Sequence, residues 1–151
     1  MGNYGDDSVA ISTIFNLGDL VEGTYFARRI DINNIYSFDR IGSSTTVEGG
    51  QSITLGSGYR RTDKNDNQLL GLDLATVFRD EINEDLPTKS TIGNKSSDIV
   101  GNLYLKPNNF FNFQYNFSLD NSLGRSNYDS IKTEFNVNNF VTTFEYLEEN
   151  N

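Results

Sequence analysis

An antiparallel all-β meander of about eight strands is the fold the sequence predicts, and three observations predict it. Apolar and polar residues alternate with a period of two, the alternation persists for about ten residues at a time, and the connections alternate between long and short. A helical period of 3.6 would scatter the same side chains around a cylinder.

The first element is Val9-Ala10-Ile11-Ser12-Thr13-Ile14-Phe15-Asn16-Leu17, which Ile30-Asp31-Ile32-Asn33-Asn34-Ile35-Tyr36-Ser37-Phe38 echoes in residue class and order. Both read as strands, near 8–17 and 29–38, whether the echo is an old hairpin duplication or chance. From 51 to 61, Ile53, Leu55 and Tyr59 share one parity, with Ser52 and Thr54 on the other. From 69 to 79, Leu70, Leu72, Leu74 and Phe78 oppose Asp73 and Arg79. The clearest segment runs from 110 to 120: Phe111, Phe113, Tyr115 and Phe117 lie on one side, Asn112, Gln114 and Asn116 on the other. Weaker alternation marks 98–106, 128–136 with Lys132 and Glu134 on its polar side, and 139–148 with Phe144 and Tyr146 on its apolar side.

The connections 39–50 and 80–97 are long, 62–68 is shorter, and 106–109 and 136–139 are tight. Outer-membrane barrels segregate loop length by end in this way, whereas a soluble sandwich has no reason to. Strand length agrees. Ten or eleven residues at ~3.4 Å each, tilted near 40°, rise roughly 28 Å, close to the ~25 Å apolar band of such barrels. Ser, Thr, Asn and Gln on the polar side suit a wet lumen, and terminal rings such as Tyr59, Phe78 and Tyr146 suit the headgroup level.

The sequence therefore assigns Ile53, Leu55, Tyr59, Leu70, Leu72, Leu74, Phe78, Phe111, Phe113, Tyr115, Phe117, Phe144 and Tyr146 to lipid. It assigns Ser52, Thr54, Asp73, Arg79, Asn112, Gln114, Asn116, Lys132 and Glu134 to the lumen. The competing expectation is a soluble secreted or phage-borne β-sheet binding module, with the aromatic rows buried between two sheets.

Composition narrows the chemistry. In 151 residues there is no His and no Cys, which removes imidazole bases, thiol nucleophiles, thiolate metal clusters and disulfides. A net charge of -9 repels phosphate backbones, and Arg28-Arg29 and Arg60-Arg61 are too separated to form a basic stripe, so nucleic acid is not an expected partner. No run approaches the ~18 apolar residues of a membrane-crossing helix, and residues 1–7 do not read as a signal peptide. No cofactor or catalytic constellation is expected, and the chain does not read as an enzyme.

Several phrases resemble the barrel domain of LptD, the lipopolysaccharide-assembly protein of the outer membrane, also called the organic-solvent-tolerance family. They are Asn34-Ile35-Tyr36-Ser37-Phe38-Asp39-Arg40-Ile41-Gly42 followed by Val47-Glu48-Gly49-Gly50, then Ser97-Asp98-Ile99-Val100-Gly101 leading to Pro107, and Tyr115-Asn116-Phe117-Ser118-Leu119-Asp120, in matching order and spacing. The family's Gly-Gln-aromatic-Arg cluster is reduced here to the ring and the Arg of Thr76-Val77-Phe78-Arg79. On this resemblance residues 30–151 are an internal segment of a large barrel in a Gram-negative outer membrane, an open curved sheet if seen alone, and 1–29 have no clear counterpart. The implied partners are the bilayer, lipopolysaccharide, a lipoprotein plug and the remaining strands.

Other features are weaker. Asp63-Lys64-Asn65-Asp66-Asn67-Gln68 begins like a calcium loop but lacks its Gly and its closing Glu, and reads as a solvated turn. The acidic run Asp80-Glu81-Ile82-Asn83-Glu84-Asp85 reads as a solvated loop, with divalent-cation binding as its alternative. Val47-Glu48-Gly49-Gly50 precedes a strand, so it is not a phosphate cradle. Asp73, Arg79, Lys132 and Glu134 either line a route or pair across strands, and both readings stay open.

Overall fold

The computed structural model describes residues 7–18, 29–37, 40, 48–84, 86, 88 and 91–150. It contains one open antiparallel sheet of seven strands in simple sequence order: β1 (Asp7–Gly18), β2 (Gly50–Thr62), β3 (Gln68–Arg79), β4 (Ile99–Asn108), β5 (Phe111–Leu119), β6 (Ser126–Val137) and β7 (Phe140–Glu149). Most strands exceed the ~5 to 6 residues usual in globular sheets.

Register fixes the faces, because residues directly opposite in neighbouring strands point the same way. Ile53 pairs with Phe78, Leu72 with Leu103, Leu103 with Tyr115, Tyr115 with Ile131, and Ile131 with Tyr146. On the other face Ser52 pairs with Arg79, Asp73 with Asn102, Asn102 with Asn116, and Gln114 with Lys132. The short connections 63–67, 109–110 and 138–139 lie at one end of the sheet, and β1 is joined to β2, β3 to β4 and β5 to β6 from the other end.

Residues 29–37 correct the sequence expectation of a strand at 29–38: they form a run of turns. The cause is local. The Asp31 carboxylate accepts from the backbone N–H groups of Asn33 (2.7 Å) and Asn34 (3.0 Å), while Asn34 Oδ1 accepts from the Asp31 N–H (3.0 Å). The Ile35 N–H closes back on the Asp31 carbonyl at 3.0 Å. Asx side chains thus satisfy the backbone groups that a ladder would have used. Val9–Leu17 has only Ser, Thr and Asn at scattered places and stays extended within β1, so two similar strings take different structures.

The turn-rich segment lies on the polar face of the sheet, and that is where the buried core sits. Ile30 and Ile35 from the β1–β2 connection, Leu86 and Ile92 from the β3–β4 connection, and Ala75, Val77 and Val100 from the sheet form one cluster. Gly56 gives the segment its seat: a Cβ there would stand 1.7 Å from the Tyr36 hydroxyl and 2.8 Å from the Leu74 carbonyl. Only glycine allows so close an approach.

The aromatic face carries no second layer among the described residues. Its rings pack on one another, Phe111 on Phe135 at 5.3 Å and Phe135 on Phe144 at 6.4 Å, and toward the β7 edge they are open, with Phe144 63% exposed. A soluble sandwich would have covered this face.

The β2–β3 turn makes a titration prediction. Asp63 accepts from the Asn67 side chain (2.9 Å) and from the backbone N–H groups of Asn67 (2.9 Å) and Asn65 (2.7 Å). These bonds, led by the Asn67 side chain, hold its carboxyl below the ordinary 3.8. The turn is therefore most stable above that ordinary value, and its contribution disappears as pH falls through the lowered one. Carboxyl-carbon NMR should find Asp63 titrating below 3.8, and Asn67→Ala should bring it back up. Titration of Asp63 at its ordinary value in the parent protein would contradict the turn geometry.

Candidate functional site: two buried polar knots on the polar face

Two clusters hold the long connections onto the sheet. In the first, Glu48 is 0% exposed and lies between two guanidinium groups. Arg40 donates through Nε to Glu48 Oε2 (2.7 Å) and through one terminal nitrogen to Oε1 (2.5 Å), with further bonds to Thr54 Oγ1 (2.9 Å) and Ser52 Oγ (2.8 Å). Arg79 also donates to Glu48 Oε1, and it reaches the carbonyls of Ile92 and Gly49, each at 2.8 Å. One carboxylate thus ties the β1–β2 connection, the end of β3 and the β3–β4 connection together.

Two cations against one anion leave a formal surplus of one positive charge in a water-poor site, which is tolerable only if the remaining donors are satisfied. The hydroxyls of Ser52 and Thr54 and the carbonyl dipoles of Gly49 and Ile92 do this. Gly50, with φ at 82°, makes the bend that delivers Gly49 to Arg79. A side chain there would be strained in the left-handed region.

The second knot is centred on Asp98, 1% exposed. Its carboxylate accepts from Thr91 Oγ1 (2.8 Å), Ser118 Oγ (2.9 Å) and Asn127 Nδ2 (2.9 Å). Ser97 beside it accepts from the Val77 N–H at 3.0 Å and donates to the Asp98 carbonyl at 2.8 Å. Thr91 has φ 52°, strain of about 1–3 kcal/mol for a β-branched residue, which its bond to Asp98 helps to hold. This knot joins the β3–β4 connection to β5 and to the start of β6.

The residues that the sequence placed on the polar side divide into groups. Ser52, Thr54 and Arg79 belong to the first knot. Asp73 pairs with Arg60 at 3.0 Å, and Lys132 with Glu145 across β6 and β7 at 2.7 Å. Glu134 accepts from Asn136 on its own strand at 2.8 Å, and Asn116 from Asn102 at 2.6 Å. Asn112 and Gln114 share the same face without entering either knot.

Sequence reasoning gave no role to Arg40, Glu48, Ser97, Asp98, Thr91 or Asn127, and placed Ser118 on the polar side without a partner. The available signal was that the phrases carrying the family resemblance hold isolated charges at or beyond the ends of the alternating segments: Arg40, Glu48, Asp98 and the surviving Arg79. In space those phrases are the knots. Among the described residues no group of His, Cys, Asp and Glu is arranged to hold a metal ion.

A long-stranded antiparallel meander with one uncovered aromatic face and inward-pinned connections at one end is a segment of a β-barrel of the outer-membrane type. The model of the LptD family, LPS transport system D, matches residues 27–151, and the chain belongs to that family. A comparison with curated proteins found no match. Family membership makes the chain a component of lipopolysaccharide transport at the outer membrane.

Removing the anion of the first knot should be costly. Glu48→Ala would leave two buried guanidinium groups facing each other, and unfolding of the barrel in detergent should show a loss of about 3–5 kcal/mol. Lys132→Ala, which breaks an exposed pair, should leave the unfolding midpoint unchanged. Equal effects would show that the Glu48 cluster does not hold the connections in place.

Proposed function

We propose that this chain forms wall strands of the lipopolysaccharide translocon, with its aromatic face toward hydrocarbon and its polar face lining the passage. The remaining strands would close the barrel, and a lipoprotein plug would occupy part of the lumen. The observation that carries this reading is the division of the sheet: among the described residues one face is apolar, aromatic and uncovered, while the other holds the in-folded segments and the paired charges of Arg40–Glu48, Arg60–Asp73 and Lys132–Glu145.

A polar interior hydrates a charged saccharide headgroup, and an apolar exterior keeps the strands in lipid with all their backbone groups paired. The work of such a wall is binding and gating, for which no nucleophile or acid–base pair is needed. Asp73, Lys132 and Glu134 would border the route while being held by their own partners. The short connections 63–67, 109–110 and 138–139 would face the periplasm and the long ones the exterior, as in other outer-membrane barrels.

Paired substitutions on adjacent strands test the sidedness. Leu103→Arg on the aromatic face should destabilise the barrel in lipid vesicles by about 2–4 kcal/mol, the penalty for a cation near the bilayer midplane. Gln114→Arg on the opposite face should insert and fold normally. A reversed order of sensitivity would refute the assignment.

A further inference from the structure

The polar face also carries a basin that neither buried knot uses. It is an open groove of about 930 Å³ at the short-turn end, bordered by the β2–β3 turn on one side and by the end of β4 with the β4–β5 turn on the other. Its volume is that of an ordinary ligand pocket, ~300–1,000 Å³. Glycine shapes the floor. Gly71 lies opposite both Arg60 of β2 and Tyr104 of β4, and the Gln68 amide lies across it, since a Cβ on Gly71 would stand 2.2 Å from Gln68 Nε2.

Two aromatic rings belong to this side of the sheet, although the strands send most of theirs to the other. Tyr104 alternates with the polar-face residues Asn102 and Lys106, and Phe110, 62% exposed, stands in the same lining at the β4–β5 turn. Amides surround them. Asn108 spends its side-chain oxygen on the backbone N–H groups of Phe110 (2.9 Å) and Phe111 (3.0 Å), which leaves its NH2 group to donate. Asn102 donates to Asn116 at 2.6 Å, which leaves its oxygen to accept.

This chemistry suits a sugar. An amide offers a donor and an acceptor side by side, as neighbouring hydroxyls require, and an aromatic face covers the apolar C–H side of a pyranose ring. Charge argues against a phosphate. Two cations, Arg60 and Lys106, stand among three carboxylates, Asp63, Asp66 and Asp73, and Arg60 is already paired with Asp73 at 3.0 Å, so the lining is formally negative.

We propose that the groove is a saccharide subsite for uncharged pyranose rings, with Tyr104 and Phe110 as stacking platforms and Gln68, Asn102 and Asn108 bonding the ring hydroxyls. The proposal rests on the reading of the polar face as the lumen. It adds that this part of the wall holds its cargo by neutral sugars and not by phosphates.

The test uses the full-length barrel with its native partners in lipid nanodiscs. Calorimetry measures binding of the saccharide portion of lipopolysaccharide, freed of acyl chains, before and after chemical removal of its phosphates. The two forms should bind within about twofold of each other. Tyr104→Ala should weaken both about tenfold, the ratio that a lost ring contact of roughly 1.4 kcal/mol represents. Tyr104→Phe keeps the ring and should stay within about twofold of the parent, and Lys106→Ala should leave both forms unaffected. Loss of binding on dephosphorylation, or weakening by Lys106→Ala alone, would replace the sugar subsite with an anion site and overturn the proposal. So would unchanged binding in both Tyr104→Ala and Phe110→Ala. A fluorescent label at Tyr104→Cys separates these failures from failure of the lumen reading: quenching by brominated acyl chains would put the groove in hydrocarbon and refute the lumen. Quenching by aqueous iodide, with the ring variants binding as the parent does, would remove the subsite and leave the lumen standing.

Discussion

A single buried carboxylate organises the polar side of this sheet. Glu48 pairs with Arg40 and Arg79 at once, and each guanidinium spends its other donors on a different part of the chain: hydroxyls of β2, a carbonyl beside Glu48, and a carbonyl of the β3–β4 connection. Without the anion, neither arginine has reason to lie under the loops, and the connections have no common anchor. The apolar cluster of Ile30, Ile35, Leu86, Ile92 and Val77 then closes over what the charges have positioned. Ion pairing sets where the connections go, and apolar burial fixes them there.

Period-two alternation made the sheet legible in advance. Ten-residue strands, their order and their register follow from side chains that must sort onto two unlike faces, since a slip of one residue would exchange them. Thus Phe111, Phe113, Tyr115 and Phe117 fall opposite Phe135, Thr133, Ile131 and Asp129, and the rows continue into Phe144 and Tyr146. The alternation of long and short connections likewise reappears as a difference between the two ends of the sheet.

The connections were less legible, because their structure depends on groups far apart in sequence. Ile30–Phe38 has the apolar spacing of a strand, but within its described part Asp31 and Asn34 capture the local backbone first. Arg79 alternates correctly as a polar-face residue, yet nothing near it in sequence indicates Glu48, which lies 31 positions away. Asp98 reads as an ordinary charge at a strand entrance until Thr91, Ser118 and Asn127 surround it. The family resemblance marked Asn34, Arg79 and Asp98 without saying what they touch.

The bond between Arg29 and Glu149 spans 120 positions, whereas the sheet itself is zipped from neighbouring hairpins. Contacts of such different contour length do not form at the same stage: nearby pairings come first, and the distant closure waits for its partner strand to exist. The turn-rich segment can therefore be tied down at its Arg29 end only once β7 is in place. That part of the polar face would stay uncovered until the β6–β7 hairpin had formed, which makes its closure a late event in folding.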